Sequence, residues 1–127
     1  MKDLFLNLKQ SSELQKLGFN EPCFGWYENN ELVTLSDCIN PEDRIEFIKA
    51  GETSKRILAP MFSQAFRFFR EKYDITQTVA RDGSLAKEGP WAYTIVSDYI
   101  FFNDGHLSHE EAESACLDKL IELAKTK

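Results

Sequence analysis

P-M-F-S-Q-A-F-R-F-F-R-E-K-Y, residues Pro60 to Tyr73, is the stretch that decides the fold of this chain. Its large apolar residues recur at intervals of three and four, which predicts a helix with one apolar face. That face comprises Phe62, Ala65, Phe66, Phe69 and Tyr73, and the opposite face comprises Ser63, Gln64, Arg67, Arg70 and Glu71. Pro60 suits the first helical position and Asp74 is expected to follow the end. Because aromatic side chains bury large areas, we expect this helix to anchor the core.

Two further helices are predicted at the ends of the chain. Leucine and phenylalanine residues recur at helical intervals from Lys2 to Leu17, which predicts one helix, either continuous or interrupted near Ser11 and Ser12. Gly18 is expected to end it. Near the C-terminus, Ser108 and Glu111 form the pattern of a capping box. A wide apolar stripe follows it, formed by Ala112, Ala115, Cys116, Leu117, Leu120, Ile121, Leu123 and Ala124.

A first hairpin is predicted between Phe24 and Leu35. Asn29 and Asn30 tolerate the positive φ angles of a two-residue turn. That turn sets a register in which Phe24 faces Leu35, Trp26 faces Val33, Tyr27 faces Leu32 and Glu28 faces Glu31. Between this hairpin and the aromatic helix, the run from Asn40 to Gly51 indicates a short helix. Ile57 to Ala59 fits either a short strand or the approach to the helix.

A second hairpin is predicted from the β-prone runs that follow the aromatic helix. Ile75 to Ala80 is expected to form one strand, and Trp91 to Phe102 a long second strand with a bulge or bend at Ser97-Asp98. Arg81 to Pro90 is expected to form an exposed loop between them. Asn103-Asp104-Gly105 has the composition of a turn before the last helix.

Together these elements predict a single α+β domain over residues 1–127. An antiparallel sheet of two hairpins is expected to pack against two main amphipathic helices, those beginning near Pro60 and Ser108. From Pro60 onward the order helix, strand, strand, helix resembles part of a double-stranded RNA-binding domain in outline. The acidic charge and the lack of a basic loop argue against that function.

Composition narrows the class of protein. The 127-residue chain has a net charge of -6 and a pI near 4.9, which disfavours binding to nucleic-acid phosphates. Its three cysteines, Cys23, Cys38 and Cys116, lack the spacing of a zinc site or a disulfide framework and indicate a reducing compartment. The N-terminal apolar run is too short for a signal peptide, and no run is long enough to span a membrane. We therefore expect a cytoplasmic protein.

The chain offers few candidates for catalysis or metal binding. Asp104, His106, His109 and Glu110 are potential metal ligands, but they straddle a predicted loop and a helix cap, where first-turn acids are common without metal. Cys116 falls on an apolar stripe, where a thiol is inert. We therefore expect a non-catalytic protein with no metal and no cofactor.

The candidate binding residues are Arg67, Phe68, Arg70 and Lys72, on and beside the polar face of the aromatic helix. With Arg81 and Lys87 in the later loop, the basic residues could bind an anion or nucleic acid, or simply form a solvated face. Trp91 and Tyr93 could stack on bases or belong to the core. Phe68 lies about 100° from Phe69 around the helix, so it is either buried or available to a partner.

Three blocks of sequence resemble a family of small uncharacterised proteins from phages, prophages and other mobile elements of gut anaerobes. The blocks are L-G-F-N-E-P-C (Leu17 to Cys23), A-P-M-F-S-Q-A-F-R-F-F-R-E-K-Y (Ala59 to Tyr73) and S-H-E-E-A-E-S-A-C-L-D-K-L-I-E-L (Ser108 to Leu123). Arg81 to Pro90 and Asn40 to Lys55 depart from the family. The resemblance implies a phage or mobile-element origin and no particular activity.

The expected function is that of a protein-protein interaction module with a host or phage protein as its partner. The alternative is a nucleic-acid-associated accessory protein that uses Arg67, Arg70 and Lys72. An enzyme ranks third among the possibilities. We expect no association with a membrane.

Overall fold

The computed structural model describes residues 4–21, 23–34, 56–81 and 89–126, and the predicted short helix from Asn40 to Gly51 lies outside them. Three helices and six strands are assigned in the described ranges. They are α1 (Leu8–Lys16), β1 (Gly25–Glu28), β2 (Glu31–Thr34), β3 (Arg56–Ala59), α2 (Phe62–Tyr73), β4 (Thr76–Arg81), β5 (Trp91–Val96), β6 (Ile100–His106) and α3 (His109–Lys125). The α+β class is confirmed. The chain divides into two compact units, Met1–Phe62 and Ser63–Lys127.

The first unit contains the predicted hairpin of β1 and β2 in the predicted register. Trp26 faces Val33, Tyr27 faces Leu32 and Glu28 faces Glu31. Asn29 and Asn30 both have positive φ, 53° and 66°, as the turn requires. The Phe24–Leu35 pair lies partly outside the described residues. Of the two structures that the sequence allows for Ile57 to Ala59, the strand is present. It is part of β3, which pairs antiparallel with β1 in a sheet of order β2-β1-β3.

The first helix begins later than the sequence predicts. Asn7 is its N-cap and forms a reciprocal capping box with Gln10, so Phe5 and Leu6 are not part of the helix. Phe5 instead forms a β-bridge with Met61, and the Leu6 N–H donates to the Pro60 carbonyl at 3.0 Å. The prediction of a helix from Lys2 was therefore wrong. α1 runs without a break and is followed by Gly18, whose φ is 98°.

Gly25 is required where β1 passes the ring of Phe5. A Cβ at this position would lie 2.8 Å from Phe5 Cε1, which is closer than side chains normally approach. Phe5 is buried, and so are Leu6, Leu14, Phe19, Cys23, Trp26 and Leu58 in the same unit. The absence of a side chain at Gly25 allows the Phe5 ring to pack against the strand.

The aromatic helix is confirmed as α2, with a small correction at its start. Phe62, Ala65, Phe66 and Phe69 are buried, whereas Ser63, Arg67, Arg70 and Glu71 are exposed. Pro60 precedes the helix by two residues instead of occupying its first position, and its carbonyl bonds to Leu6. Asp74 follows the helix with a φ of 56°, consistent with the predicted end.

The second unit contains a three-stranded antiparallel sheet of order β4-β5-β6, whose strands follow α2 and precede α3 in the sequence. The sequence predicted two strands here. Trp91 to Phe102 is not one bent strand, because the chain reverses at Ser97–Tyr99 and Val96 faces Ile100 across a tight hairpin. The Ser97 N–H donates to the Tyr99 carbonyl at 2.9 Å within that turn.

The predicted turn at Asn103-Asp104-Gly105 was also wrong, since these residues lie within β6. Tyr93 faces Asn103 but Trp91 faces His106, so β6 has one more residue than β5 between these two pairs. Such an irregularity is a β-bulge, and Gly105 has the positive φ, 86°, that bulges often place at glycine. Turn-forming residues are used here to bend a strand.

Helix α3 follows the prediction closely. Ser108 is its N-cap and accepts a hydrogen bond from the Glu111 N–H at 3.1 Å. The Glu111 carboxylate accepts from the Leu107 N–H at 2.9 Å, one residue earlier than in a standard capping box. The stripe residues Ala112, Cys116, Leu117, Leu120, Ile121 and Ala124 are buried.

The predicted single sheet of two hairpins is replaced by two separate three-stranded sheets among the described residues. Each predicted hairpin gained a strand: β3 in the first unit and β6 in the second. A single domain over residues 1–127 stays a prediction, because two compact units can still fold as one cooperative domain.

Candidate functional site

The hairpin of β5 and β6 exposes four large apolar side chains. Tyr99 is 74% exposed, Ile100 73%, Phe102 61% and Val96 43%. Val96 and Ile100 face each other across the two strands, and Phe102 faces Thr94 in the next pair on the same side. We call Val96, Tyr99, Ile100 and Phe102 the hairpin surface.

Strand register explains why this surface is exposed. Residues that face each other on neighbouring strands share one side of a sheet. On one side of the sheet, Ile95 pairs with Gln77 of β4 and with Phe101 of β6, and its side chain is fully buried. On the same side, the Lys119 ammonium of α3 lies 5.2 Å from the centre of the Phe101 ring. Helix α3 therefore covers this side. The hairpin surface lies on the other side, beside the exposed threonines Thr76 and Thr78 of β4.

The outer edge of β6 adds backbone groups to the hairpin surface. β6 is an outermost strand of its sheet, and within the described ranges no strand pairs with its outer edge. The N–H and C=O groups along such an edge can accept another strand. Asn103, Asp104 and Gly105 are all exposed along it.

The charged residues next to the hairpin surface in the sequence are acidic. Between Val96 and Gly105 the only charged residues are Asp98 and Asp104, and both are exposed. Asp98 lies in the turn before β6, and Asp104 lies in the bulge beyond Phe102. An acidic residue therefore stands at each end of the exposed apolar run, which favours a positively charged partner.

The predicted basic face of α2 is present and solvated. The side chain of Arg67 is 52% exposed, and its Nε lies 3.9 Å from a Glu71 carboxylate oxygen one turn along the helix. Arg70 is exposed as well. The Lys72 ammonium lies 5.4 Å from the centre of the Phe68 ring and 5.6 Å from that of Tyr73, within the range of cation–π contact.

Phe68 is only 7% exposed, which settles its position on the helix. Its ring packs edge-on against Phe69, with centroids 5.4 Å apart, and against Tyr73 at 6.1 Å. The buried face of α2 is thus widened by Phe68. Little of this ring is left for a partner to contact, which weakens its candidacy as a binding residue.

The two histidines near the start of α3 have partners of their own. His106 Nε2 lies 2.7 Å from Asn103 Oδ1, and its ring stacks on Tyr93 with centroids 5.7 Å apart. His109 Nδ1 lies 3.9 Å from a Glu113 carboxylate oxygen, and its ring meets Trp91 edge-on at 5.1 Å. Within the described ranges no three His, Cys, Asp or Glu side chains come together as metal ligands.

Trp91 and Tyr93, considered above as a platform for bases, contact the histidines. Trp91 also lies 6.0 Å from the Arg81 guanidinium, and Tyr93 is only 8% exposed. Burial raises the pKa of the Tyr93 phenol. Lys87, the other basic residue of the predicted loop patch, lies outside the described residues.

Both described cysteines are buried and protonated. Burial raises the pKa of Cys23 to about 12, with a further contribution from Glu21, and the thiol donates to the Glu21 carbonyl at 3.3 Å. Burial likewise raises the pKa of Cys116 to about 12. A thiol must lose its proton to act as a nucleophile, so neither is activated at neutral pH. Cys38 lies outside the described residues.

Comparisons with known proteins give no relatives. No protein-family model matches the chain, and neither curated proteins nor solved structures give a match. The resemblances to mobile-element proteins and to double-stranded RNA-binding domains stay predictions.

None of the helices in the described part of the chain is long and apolar enough to cross a membrane.

Sequence reasoning missed the hairpin surface. The four consecutive residues Tyr99, Ile100, Phe101 and Phe102 are predicted from the sequence to form the second half of a long strand. That prediction does not address their exposure. A consecutive apolar run next to a polar tripeptide is a signal for an exposed strand edge. It could have been found if Ser97-Asp98 had been interpreted as a turn.

Proposed function

We propose that this chain is a small cytoplasmic, non-catalytic protein-protein interaction module of phage or mobile-element origin, and that it binds its partner through the hairpin surface. The observation that carries this proposal is the exposure of Tyr99, Ile100 and Phe102 within four residues at the start of β6. Scattered apolar residues are normal on protein surfaces, but contiguous ones usually mark a binding site.

The size of the surface supports the proposal. An aromatic side chain presents roughly 150–250 Å² to a partner. With Tyr99 at 74% and Phe102 at 61% exposure, and with Ile100 and Val96 beside them, the apolar area is on the order of 400 Å². This is the size of the largest patch on a typical monomer, and such patches are often functional.

The chemistry of the other polar groups supports a non-catalytic role. The Cys23 and Cys116 thiols are held protonated by burial. His106 and His109 are engaged by Asn103 and Glu113 and by aromatic rings. Each of these side chains has a structural role where it stands.

Affinity capture with matched variants tests the proposal. Tagged protein and the double variant Ile100→Thr/Phe102→Thr are compared in a lysate of the source organism, with Leu107→Thr as the control. Leu107 is 70% exposed but lies outside the strand, so its replacement removes exposed apolar surface away from the hairpin surface. We expect the double variant to lose a partner that the wild type and Leu107→Thr both retain. Identical capture by all three proteins would contradict the proposal.

A nucleic-acid-associated accessory role is the second candidate. It rests on the exposure of Arg67, Arg70 and Lys72 along one helix, while the net charge of -6 and the Glu71 contact of Arg67 oppose it. Fluorescence anisotropy with labelled single- and double-stranded oligonucleotides tests this role. Binding that weakens steeply with salt and is lost in Arg67→Gln/Arg70→Gln would support it. No binding at low salt would remove it.

A further inference from the structure

We infer that the partner of the hairpin surface is an extended, positively charged peptide segment with alternating apolar residues, which adds as a fourth strand to the outer edge of β6. This inference rests on the proposed function and names the class of partner. It follows from the edge, the side chains beside it, and the charge at its two ends.

The edge of β6 is suited to a short strand. From Ile100 to Asn103 the residues pair regularly with β5, and the bulge begins only after Asn103. Beyond it, a Cβ built on Gly89 would lie 2.4 Å from the Gly105 carbonyl oxygen, so Gly89 packs against the backbone of the bulge and the stretch offered to a strand ends before it. A strand of about four to six residues would match this length, because edge pairing ends where a bulge twists the backbone away.

Side chains of an added strand would continue the sides of the sheet. Every second residue would lie beside Ile100 and Phe102, and the apolar ones among them would cover the hairpin surface. Backbone hydrogen bonds would hold the segment, and the alternate side chains would select it. An alternating apolar pattern is therefore required of the partner.

Charge selects a basic segment. Asp98 and Asp104 flank the apolar run, and from Val96 to Gly105 there is no Lys or Arg. The whole chain carries -6, which attracts cations and repels anions during encounter. Lys or Arg residues at the ends of the added segment would lie near the two aspartates.

The same observations disfavour a second copy of this chain as the occupant. A register that places Ile100 opposite Phe102 of a second copy would also place Asp98 opposite Asp104, a like-charge pair. Two chains of charge -6 also repel each other.

Titration with a synthetic peptide tests the inference. The probe is a blocked seven-residue peptide of alternating lysine and valine, and binding is followed by amide chemical shifts and by hydrogen exchange of β6. Three control peptides are used: one N-methylated at every backbone amide, one with glutamate for lysine, and one with serine for valine. We expect slowed exchange at β6 amides with the probe and with none of the controls.

Variants locate the contacts. Phe102→Thr is expected to weaken binding of the probe by about ten-fold or more, as for an apolar anchor, whereas Leu107→Thr leaves it unchanged. Asp98→Asn and Asp104→Asn are each expected to weaken it by about two- to five-fold, in line with exposed charge pairs. Asp118→Asn, an exposed acid on α3, serves as the charge control.

The outcomes separate this inference from the proposed function. Loss of partner capture in Ile100→Thr/Phe102→Thr without protection of β6 amides by any basic strand peptide would overturn strand addition and leave the interaction surface standing. Equal binding of the N-methylated probe would also overturn it, since that peptide cannot pair along the edge. A dimer in analytical ultracentrifugation that Phe102→Thr dissociates would assign the surface to a second copy instead.

Discussion

Replacing isoleucine by alanine on either side of the second sheet should give very different losses of stability. Ile95 is fully buried, so Ile95→Ala removes buried methyl groups and leaves a cavity, which costs about 2–5 kcal/mol. Ile100 is 73% exposed, so only about a quarter of the roughly 1.5–3 kcal/mol available from burying an isoleucine is realised. Ile100→Ala should therefore cost about 0.4–0.8 kcal/mol from burial. Loss of strand propensity affects both variants and largely cancels in their difference.

Urea unfolding measures this difference. Trp91 lies on β5 and reports through its fluorescence, and circular dichroism provides a second probe. Coincident transitions and an unchanged m-value would justify comparing the free energies of unfolding. A loss for Ile100→Ala as large as that for Ile95→Ala would show that Ile100 is covered in the folded protein. That result would refute the assignment of a free hairpin surface.

Three further predictions concern the helix cap, a partly buried carboxyl group and the thiols. Ser108→Ala removes the acceptor for the Glu111 N–H and should lower the free energy of unfolding by about 1 kcal/mol, measured in urea. Burial raises the pKa of Glu113 above its usual 4.5, so the folded protein keeps this proton to higher pH than the unfolded chain, and stability falls as pH rises through the folded pKa. Glu113→Gln should raise the melting temperature at pH 7 and leave it nearly unchanged at pH 4; a lower melting temperature at pH 7 would contradict this. Cys23 and Cys116 should resist iodoacetamide in the native protein and react after unfolding, as mass spectrometry of alkylated peptides would show; fast native labelling of either would contradict their burial.

Local chemistry was sufficient to predict the first hairpin and the aromatic helix. Asn29 and Asn30 set both the turn and the register, because few residues adopt two successive positive φ angles. In α2 the aromatic spacing identified the buried face, and Ser108 identified the start of α3. These features depend on residues within one element, so they can be predicted from the sequence alone.

Features that depend on distant partners were missed. Phe5 leaves the helical pattern because it pairs with Met61, a contact that no local rule contains. Gly105 looked like a turn residue, but its positive φ serves a bulge whose position is set by pairing with β5. The turn at Ser97–Tyr99 contains no glycine, so the tight reversal was interpreted as a bend.

The candidate site shows the same division. The basic residues of α2 were found from sequence because helical spacing places Arg67 and Arg70 outside the apolar stripe of the helix. The hairpin surface was missed because exposure of Ile100 and Phe102 depends on which side of the sheet α3 covers. Tertiary packing decides which side of the sheet α3 covers, and the sequence pattern indicates that side only weakly.

Site-specific photo-crosslinking in the source organism would test the central claim, that the hairpin surface contacts a protein partner. A photoreactive phenylalanine analogue is placed at Phe102, at Arg67 on the basic face of α2, or at Leu107. We expect a discrete protein adduct from position 102 that is absent from positions 67 and 107. An adduct that forms from position 67 and not from position 102 would contradict binding through the hairpin surface.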